Sequence, residues 1–280
     1  MHHHWAIQPL ISQALQEDIG PCDCTTDATV PPQARCAVTL RAKQAGVLSG
    51  IEVFRGVFEH LGAIAGGWKA HSDGSAFADG DVVASFKGHT AAVLSGERVA
   101  LNFIQRLSGV ATLTARFADA VADTRARICD TRKTTPLLRG LEKAAVVHGG
   151  GRNHRFALYD GILIKENHIT AAGGLAEAVR RARAAAPHLA RVEVEVTTLT
   201  ELETALDSGA EAVLLDNMDL DTMREASNTA RAAGVLVEAS GNITLDRVRA
   251  VAETGVDLIS VGALTHSAPA VDLSLLIHDE

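Results

Sequence analysis

Aromatic residues are scarce in this chain: Phe, Trp and Tyr make up 4% of its 280 residues. The hydrophobic share of 47% therefore comes mainly from Ala, Val, Leu and Ile, as in helices packed on a Val-rich parallel sheet. No run of about 18 uncharged apolar residues occurs, which argues against a transmembrane helix. The N-terminus also lacks the basic and apolar regions of a signal peptide. We therefore expect a cytoplasmic protein with a large core, built as one domain or two.

Cysteine and positive charge are also in short supply. The four cysteines are Cys22, Cys24, Cys36 and Cys129. Cys22 and Cys24 are too close for the usual spacing of zinc ligands and no second pair follows, so reduced cytosolic thiols are expected. The 26 Lys and Arg residues are outnumbered by 34 Asp and Glu, for a net charge of −8, which argues against nucleic acid as a partner. We assign no function to the histidines at 2–4.

One stretch, residues 129–168, has the opposite charge. It contains seven Lys and Arg residues against four Asp and Glu. Within it lies the turn Gly149-Gly150-Gly151, which we interpret as a mobile turn that brings His154 and Arg155 into place. A local positive field in an acidic protein indicates a site for a small, multiply charged anion.

The first hundred residues predict a small α+β domain without a catalytic signature of its own. The predicted helices cover 5–18 and 52–61, and the predicted strands cover 38–42, 47–50 and 82–86. These assignments rest on apolar residues at helical spacing, on alternation and on flanking turn residues. A long helix, or two helices broken at Gly109, is predicted over 95–121.

After the long helix, apolar runs alternate with helical patterns. The candidate strands are 126–129, 161–164, 192–196, 212–215, 235–238 and 258–261. The last four start about 20 to 23 residues apart, the length of one strand plus one helix. Such units build either a doubly wound sheet or a βα barrel.

Polar or glycine residues at the strand ends favour the barrel. They are Arg132 and Lys133, then Lys165, Glu195 and Asp216, then Ser240, Gly241 and Asn242, and finally Gly262. On a barrel, groups at the carboxyl ends of many strands form a single site.

Three segments of the basic stretch resemble a known family. They are Thr-Arg-Lys-Thr-Thr-Pro at 131–136, Gly-Gly-Gly-Arg-Asn-His-Arg at 149–155 and Lys-Glu-Asn-His at 165–168. In order and spacing they are similar to quinolinate phosphoribosyltransferase, the carboxylating nicotinate-nucleotide pyrophosphorylase. The resemblance continues at 17–20 and 95–102 and covers nearly the whole chain. It departs at Leu137, where the family often has glycine, and we expect this to alter a turn and not the chemistry.

The resemblance implies both a fold and a reaction. The fold is α/β: an N-terminal open α/β sandwich over 1–109 and an irregular, incomplete βα barrel over 110–268, of the type II phosphoribosyltransferase kind. Residues 269–280 would pack back on the N-terminal domain. The reaction transfers phosphoribosyl from phosphoribosyl pyrophosphate to quinolinate with decarboxylation. Its products are nicotinate mononucleotide, pyrophosphate and CO₂, in NAD biosynthesis.

The resemblance also implies how the dicarboxylate of quinolinate is held. Arg132, Arg155 and Lys165, with His154 as a further donor, match the family's dicarboxylate site. Arginine suits this task because its guanidinium binds a carboxylate bidentately. Arg98 matches an arginine that reaches the site of a neighbouring subunit, so a homodimer with a shared active site is expected. The simpler interpretation of any one arginine is a surface ion pair.

The second substrate needs a metal and phosphate contacts. Glu195 and Asp216 are the candidate Mg²⁺ ligands, and a buried ion pair with nearby lysines is the simpler interpretation of both. Lys133, and with it Lys165, would face the pyrophosphate or the ribose. Ser240, Gly241, Asn242 and Gly262 would offer backbone N–H groups to the 5′-phosphate. The expected catalytic set is Lys133, Lys165, Glu195 and Asp216.

Three other functions stay open at this point. Lys165 could form a Schiff base in a lyase, if its amine were kept neutral. The enzyme could transfer phosphoribosyl to a related pyridine carboxylate. The scaffold could bind an anion without catalysis.

Overall fold

The computed structural model describes the backbone of residues 4–279 and the side chains of residues 7–279. The histidines at 2–4 thus lie outside the described side chains. The chain forms two compact units. Of the described residues, the first unit contains 4–113, 147–149 and 268–279, and the second contains 114–146 and 150–267.

The elements follow one another as helices and short strands. The first part of the chain contains α1 (His4–Ile19), α2 (Cys24–Thr29), β1 (Arg35–Ala42), β2 (Gly46–Val47), α3 (Ile51–His60), β3 (Ile64–Ala70), β4 (Ala76–Phe77), β5 (Val82–His89) and α4 (Thr90–Ala120). The rest contains β6 (Arg127–Cys129), α5 (Arg139–His148), β7 (Ile162–Ile164), α6 (Glu166–Ala172), α7 (Leu175–Ala185), β8 (Val192–Val196), α8 (Leu199–Asp207), β9 (Ala212–Asp216), α9 (Leu220–Ala232), β10 (Leu236–Ser240), α10 (Leu245–Ala252), β11 (Leu258–Ser260), α11 (Ala263–His266) and β12 (Leu273–Asp279).

The first unit is built on an antiparallel sheet with strand order β12-β1-β5-β3. Alternate residues of β1 are buried, among them Val38 and Leu40. Helix α3 buries Phe54 and Phe58, one helical turn apart, whose rings meet edge to face at 5.1 Å. Such aromatic pairs stabilise a core beyond the area they bury. The sheet and its helices therefore share one apolar core.

The long helix α4 runs through Gly109 without a break, so of the two alternatives left open by the sequence, the single long helix is the one observed. The reason for glycine is close packing by a later segment of the same unit. A Cβ at position 109 would lie 3.1 Å from the Cα of Ala270. Glycine here admits a crossing backbone and does not end the helix.

The second unit is built on six parallel strands in the order β6-β11-β10-β9-β8-β7. In β8 the side chains of Val192, Val194 and Val196 are fully buried. Glu193 and Glu195 alternate with them and face the other side of the sheet. The outward valines pack under helices, and the glutamates point inward.

The sheet is incomplete, because its edge strands β6 and β7 do not pair with each other in the described chain. Beside β6, Arg152 makes a parallel bridge to Cys129. The segment that carries His154 and Arg155 thus starts at the open edge. Among the described helices, none combines the length and apolarity that a membrane span requires.

Candidate active site

A cavity of about 890 Å³ lies at the carboxyl ends of the parallel strands of the second unit. Its lining includes nearly all the residues expected from the sequence: Arg132, Lys133, His154, Arg155, Lys165, Glu195, Asp216, Ser240, Gly241, Asn242 and Gly262. Arg98 is the exception, since it lies on α4 in the first unit and is not among the described lining residues. The Arg98 side chain is exposed and makes no hydrogen bond or ion pair with a described residue.

Two guanidinium groups, those of Arg132 and Arg155, form the cationic end of the cavity. Burial lowers the pKa of Arg155, and the positive charge of Arg132 lowers it further. Within the described chain neither guanidinium forms an ion pair with a carboxylate. One N–H of the Arg155 guanidinium donates a hydrogen bond to the carbonyl of Gly161, at 2.9 Å. Two cations that repel each other and form no ion pair with a described carboxylate favour a bound anion.

His154 is held by the protein at all four of its polar groups. Its backbone N–H donates to Oδ1 of Asp130 at 2.9 Å, and its carbonyl accepts from Nζ of Lys143 at 3.0 Å. Its Nδ1 accepts the backbone N–H of Arg155 at 2.7 Å. Its Nε2 lies 3.3 Å from Glu193 and 3.6 Å from Glu238.

The ring proton of His154 therefore sits on Nε2. The hydrogen bond with Glu193 raises the pKa of His154, whereas the N–H that points at Nδ1 opposes protonation of that nitrogen. Both contacts place the ring proton on Nε2, because Glu193 accepts it there and Nδ1 already accepts an N–H. The cluster of His154, Glu193 and Glu238 has the ligand types of a metal site. An Nε2 that carries the proton cannot ligate a metal, so the ring orientation favours a proton-sharing cluster.

The backbone of His154 is anchored by a buried ion pair. Lys143 and Asp130 are in contact, with side chains 2% and 0% exposed. After reorientation of its amide, Asn153 donates to the second oxygen of Asp130 at 2.6 Å. These contacts fix the loop that precedes Arg155 against β6 and α5.

The acidic side of the cavity carries Glu195 and Asp216, at the ends of neighbouring strands β8 and β9. Glu195 forms an ion pair with Lys165. Asp216 accepts a hydrogen bond from the amide of Asn217 at 2.9 Å. Carboxylate oxygens on a cavity wall are suitable ligands for Mg²⁺. The ion pair with a lysine and the metal role are compatible, because the two oxygens of a carboxylate can serve different partners.

The remaining wall is rich in free backbone donors. Gly241 and Asn242 have left-handed φ angles of 94° and 50°, and Asn242 donates to Asn217 at 3.0 Å. The N–H groups of Gly241, Asn242 and Gly262 donate to no described residue. Gly262 also needs its small size, because a Cβ there would lie 3.1 Å from Cδ of Lys133. Free N–H groups in a late barrel loop are suited to binding phosphate.

Several lining residues were missed by the sequence analysis, chiefly Glu238, with Ser260 and His266. Glu193, next to His154, was missed as well. The signal was available in the alternation Val-Glu-Val-Glu-Val at 192–196. A glutamate between buried valines of a barrel strand must point at the interior. Glu238 sits in the same way between Val237 and Ala239.

Known proteins identify this arrangement. Residues 23–108 match the family model described as quinolinate phosphoribosyl transferase, N-terminal domain, and residues 110–276 match its C-terminal domain. The chain belongs to the quinolinate phosphoribosyltransferase family. The fold expected from the sequence, an N-terminal sheet domain and a parallel α/β domain, is confirmed for this family member.

Individual quinolinate phosphoribosyltransferase relatives are similar over almost their full length. The chain is 43% identical to the probable nicotinate-nucleotide pyrophosphorylase (carboxylating) of Bacillus subtilis, over 98% of this chain and 94% of the relative. It is 39% identical to the corresponding Mycobacterium leprae protein, over 96% of both chains. The solved structure of the Francisella tularensis nicotinate-nucleotide pyrophosphorylase superposes with a TM-score of 0.92. That structure is 38% identical, with 98% of this chain and 96% of that chain covered.

Leu137, the departure from the family pattern, lies in the loop after Arg132 and Lys133. Its φ of 67° is in the left-handed region, and its side chain is 84% exposed. A branched side chain in this region is strained, whereas glycine is not. The turn keeps the conformation that suits glycine although leucine occupies it.

Proposed function

We propose that the chain is a nicotinate-nucleotide pyrophosphorylase (carboxylating) that acts in NAD biosynthesis. It transfers phosphoribosyl from phosphoribosyl pyrophosphate to quinolinate and releases pyrophosphate and CO₂. The observation that carries the proposal is one cavity that holds Arg132 and Arg155, which form no ion pair with a described carboxylate, together with backbone N–H groups that donate to no described residue. The guanidiniums suit a dicarboxylate and the N–H groups a phosphate.

The proposed roles follow from the position of each group. Arg132 and Arg155 hold the quinolinate carboxylates, and Lys133 faces the pyrophosphate. Gly241, Asn242 and Gly262 bind the 5′-phosphate through N–H groups, with Ser240 beside them. Glu195 and Asp216 would hold Mg²⁺, which when bound neutralises charge on the pyrophosphate. Lys165, paired with Glu195, links the carboxylate end to the metal end.

The chemistry is mainly positioning and charge stabilisation. The pyridine nitrogen attacks the ribose carbon as pyrophosphate departs, and fixed cations stabilise the charge that develops on the leaving group. The new ring cation then stabilises the electron pair left on the adjacent carbon when its carboxylate leaves as CO₂. Arg132 and Arg155 anchor the carboxylate that stays.

The structure disfavours a lyase that uses Lys165 as a Schiff base. Such a lysine needs a neutral amine, but Nζ of Lys165 contacts the Glu195 carboxylate.

A stoichiometric assay tests the proposed activity. With quinolinate, phosphoribosyl pyrophosphate and Mg²⁺, we expect equal amounts of pyrophosphate and CO₂. Nicotinate in place of quinolinate should give neither product. Pyrophosphate release with nicotinate would assign the chain to a related pyridine carboxylate, and binding of quinolinate without turnover would make it an anion-binding protein.

We also propose a homodimer in which Arg98 of each subunit serves the neighbouring active site. Arg98, exposed and without an ion pair to any described residue, and the family resemblance support this arrangement. An Arg98→Ala variant and an Arg155→Ala variant should each be nearly inactive. Mixed and allowed to exchange subunits, they should recover about one quarter of wild-type activity, because half of the dimers are mixed and each mixed dimer contains one intact site. Additive residual activities after exchange would contradict a shared site.

The proposed location is the cytoplasm. The cysteines Cys22, Cys24, Cys36 and Cys129 are all free, as expected for a reducing compartment.

A further inference from the structure

The proposed reaction requires one proton that the substrates do not supply. When CO₂ leaves, the carbon–carbon bond breaks and its electron pair stays on the ring carbon. That carbon must then take a proton to give the nicotinate ring. A residue that delivers this proton would prevent the electron pair from recapturing CO₂. This inference rests on the proposed function and names a further residue for it.

Most titratable side chains that line the cavity have another proposed role and cannot be the proton donor. The cations of Arg132, Lys133, Arg155 and Lys165 hold anions, and loss of a proton would remove the charge that holds them. Glu195 and Asp216 serve the metal as ionised carboxylates. His266 lies near Gly262, at the phosphate end, with Nδ1 2.6 Å from the Ser267 hydroxyl. The cluster of His154, Glu193 and Glu238 remains.

Glu238 is the most deeply buried member of this cluster. It is 1% exposed, yet it lines the cavity. The groups that face it are Glu193 on β8, Ser260 on β11, Cys129 on β6, and the side chains of His154 and Lys165. Burial, with the negative charge of Glu193, raises the pKa of Glu238 to about 7. At neutral pH it therefore holds a proton for a large part of the time.

A second, smaller cavity gives the cluster another way to solvent. It has a volume of about 270 Å³, shares His154, Arg155 and Glu238 with the active-site cavity, and is also lined by Glu193. It also reaches Leu189, which is 86% exposed. A proton given to the substrate can be replaced from water on this side while nucleotide occupies the main cavity.

We propose that the proton carried by Glu238, whose carboxyl group lies beside Nε2 of His154, replaces CO₂ on the pyridine ring. The ring carbon gains the proton, Glu238 becomes a carboxylate, and water restores the proton through the smaller cavity. Ser260, which donates to the other oxygen of Glu238, stabilises the carboxylate that forms. Phosphoribosyl transfer, which releases pyrophosphate, does not use this proton, whereas the step that releases CO₂ does. Measuring the two products separately therefore distinguishes the two steps.

The test compares pyrophosphate and CO₂ in single turnovers of the full-length enzyme at pH 7. Glu238→Gln should release pyrophosphate within about threefold of the wild-type rate. Its CO₂ release should be about 10²-fold slower, and the doubly carboxylated ribonucleotide should accumulate. Glu211→Gln is the matched control, since Glu211 lies directly before β9, does not line the active-site cavity, and its side chain accepts the N–H of Val192 at 3.0 Å. It should release both products at wild-type rates.

Ser260→Ala supplies a second variant in case the buried Glu238→Gln replacement does not fold. A general acid acts in its protonated form, so wild-type CO₂ release should be fast below pH 7 and slow down above it. Loss of the Ser260 donor destabilises the Glu238 carboxylate. The midpoint of the pH profile for CO₂ release should therefore be higher in Ser260→Ala than in the wild type, by about one pH unit. CO₂ release equal to pyrophosphate release in Glu238→Gln, or a wild-type profile flat from about pH 6 to 8.5, would overturn the proposal and assign the proton to water. A wild-type enzyme that releases neither product would instead refute the proposed function.

Discussion

Replacement of Arg155 by alanine is expected to lower kcat/KM for quinolinate by about 10³-fold, the equivalent of two lost charge-assisted hydrogen bonds. The effect is large because Arg155 is partly desolvated and has no carboxylate partner of its own. The KM for phosphoribosyl pyrophosphate should stay within about threefold, because the phosphates are held elsewhere. Steady-state kinetics with each substrate varied in turn would measure both.

Arg152 offers a matched control for this prediction. It lies three residues earlier on the same segment, is exposed, and does not line the cavity. Arg152→Ala removes the same charge from the same loop, and kcat/KM for quinolinate should fall by less than about threefold. Equal losses in the two variants would mean that general charge, and not the Arg155 fork, binds the substrate. Arg155→Lys should recover only part of the activity, since an ammonium cannot bind a carboxylate bidentately.

Replacement of Lys143 by methionine is expected to lower the free energy of unfolding by about 3–5 kcal/mol, because it leaves the buried Asp130 carboxylate unpaired. Burial already raises the pKa of Asp130 although the Lys143 ammonium opposes this, so desolvation of the pair is costly. The double variant Asp130→Asn with Lys143→Met should therefore lose less than Lys143→Met alone. Urea unfolding of both variants would test this.

The exposed ion pair of Arg55 and Glu59, at 42% exposure on each side, is the control for that series. Glu59→Ala removes this ion pair and leaves Arg55 over the Trp68 ring, so it should cost less than about 0.5 kcal/mol. A comparable loss in Glu59→Ala and Lys143→Met would contradict the importance of burial. Lys143→Met should also weaken quinolinate binding in the fraction that folds, because Nζ of Lys143 holds the carbonyl of His154.

The sequence predicted the barrel strands well, because short apolar runs alternate at regular intervals with segments of helical periodicity. The prediction of 192–196 agrees with β8, and the five other strands agree within two residues. At Gly109 the sequence left one helix or two open, because a glycine that breaks a helix and one that admits a crossing backbone look alike in sequence. The deciding contact, with Ala270, is far away along the chain.

The site residues were also predicted only in part: those at strand ends were found, and two glutamates within strands were missed. Cations and acids at strand ends were predicted because the loops that follow parallel strands meet at one end of a barrel. Glu193 and Glu238 lie within strands, where an isolated charge has no local partner in the sequence. Only the strand registers, which pair Leu214 with both Glu195 and Glu238, bring the carboxylates of β8 and β10 to the same interior.

The order of strands in the first unit has a consequence for the folding of the chain while the ribosome synthesises it. β12 pairs with β1 along residues 273–279, so the ribosome must make the whole second unit before the first sheet is complete. Until then β1 has one neighbour, β5, and presents an open edge. Open edges of alternating apolar strands attract other chains. A nascent chain, or one truncated before 273, would thus carry an aggregation-prone edge that the finished protein covers with its own last strand.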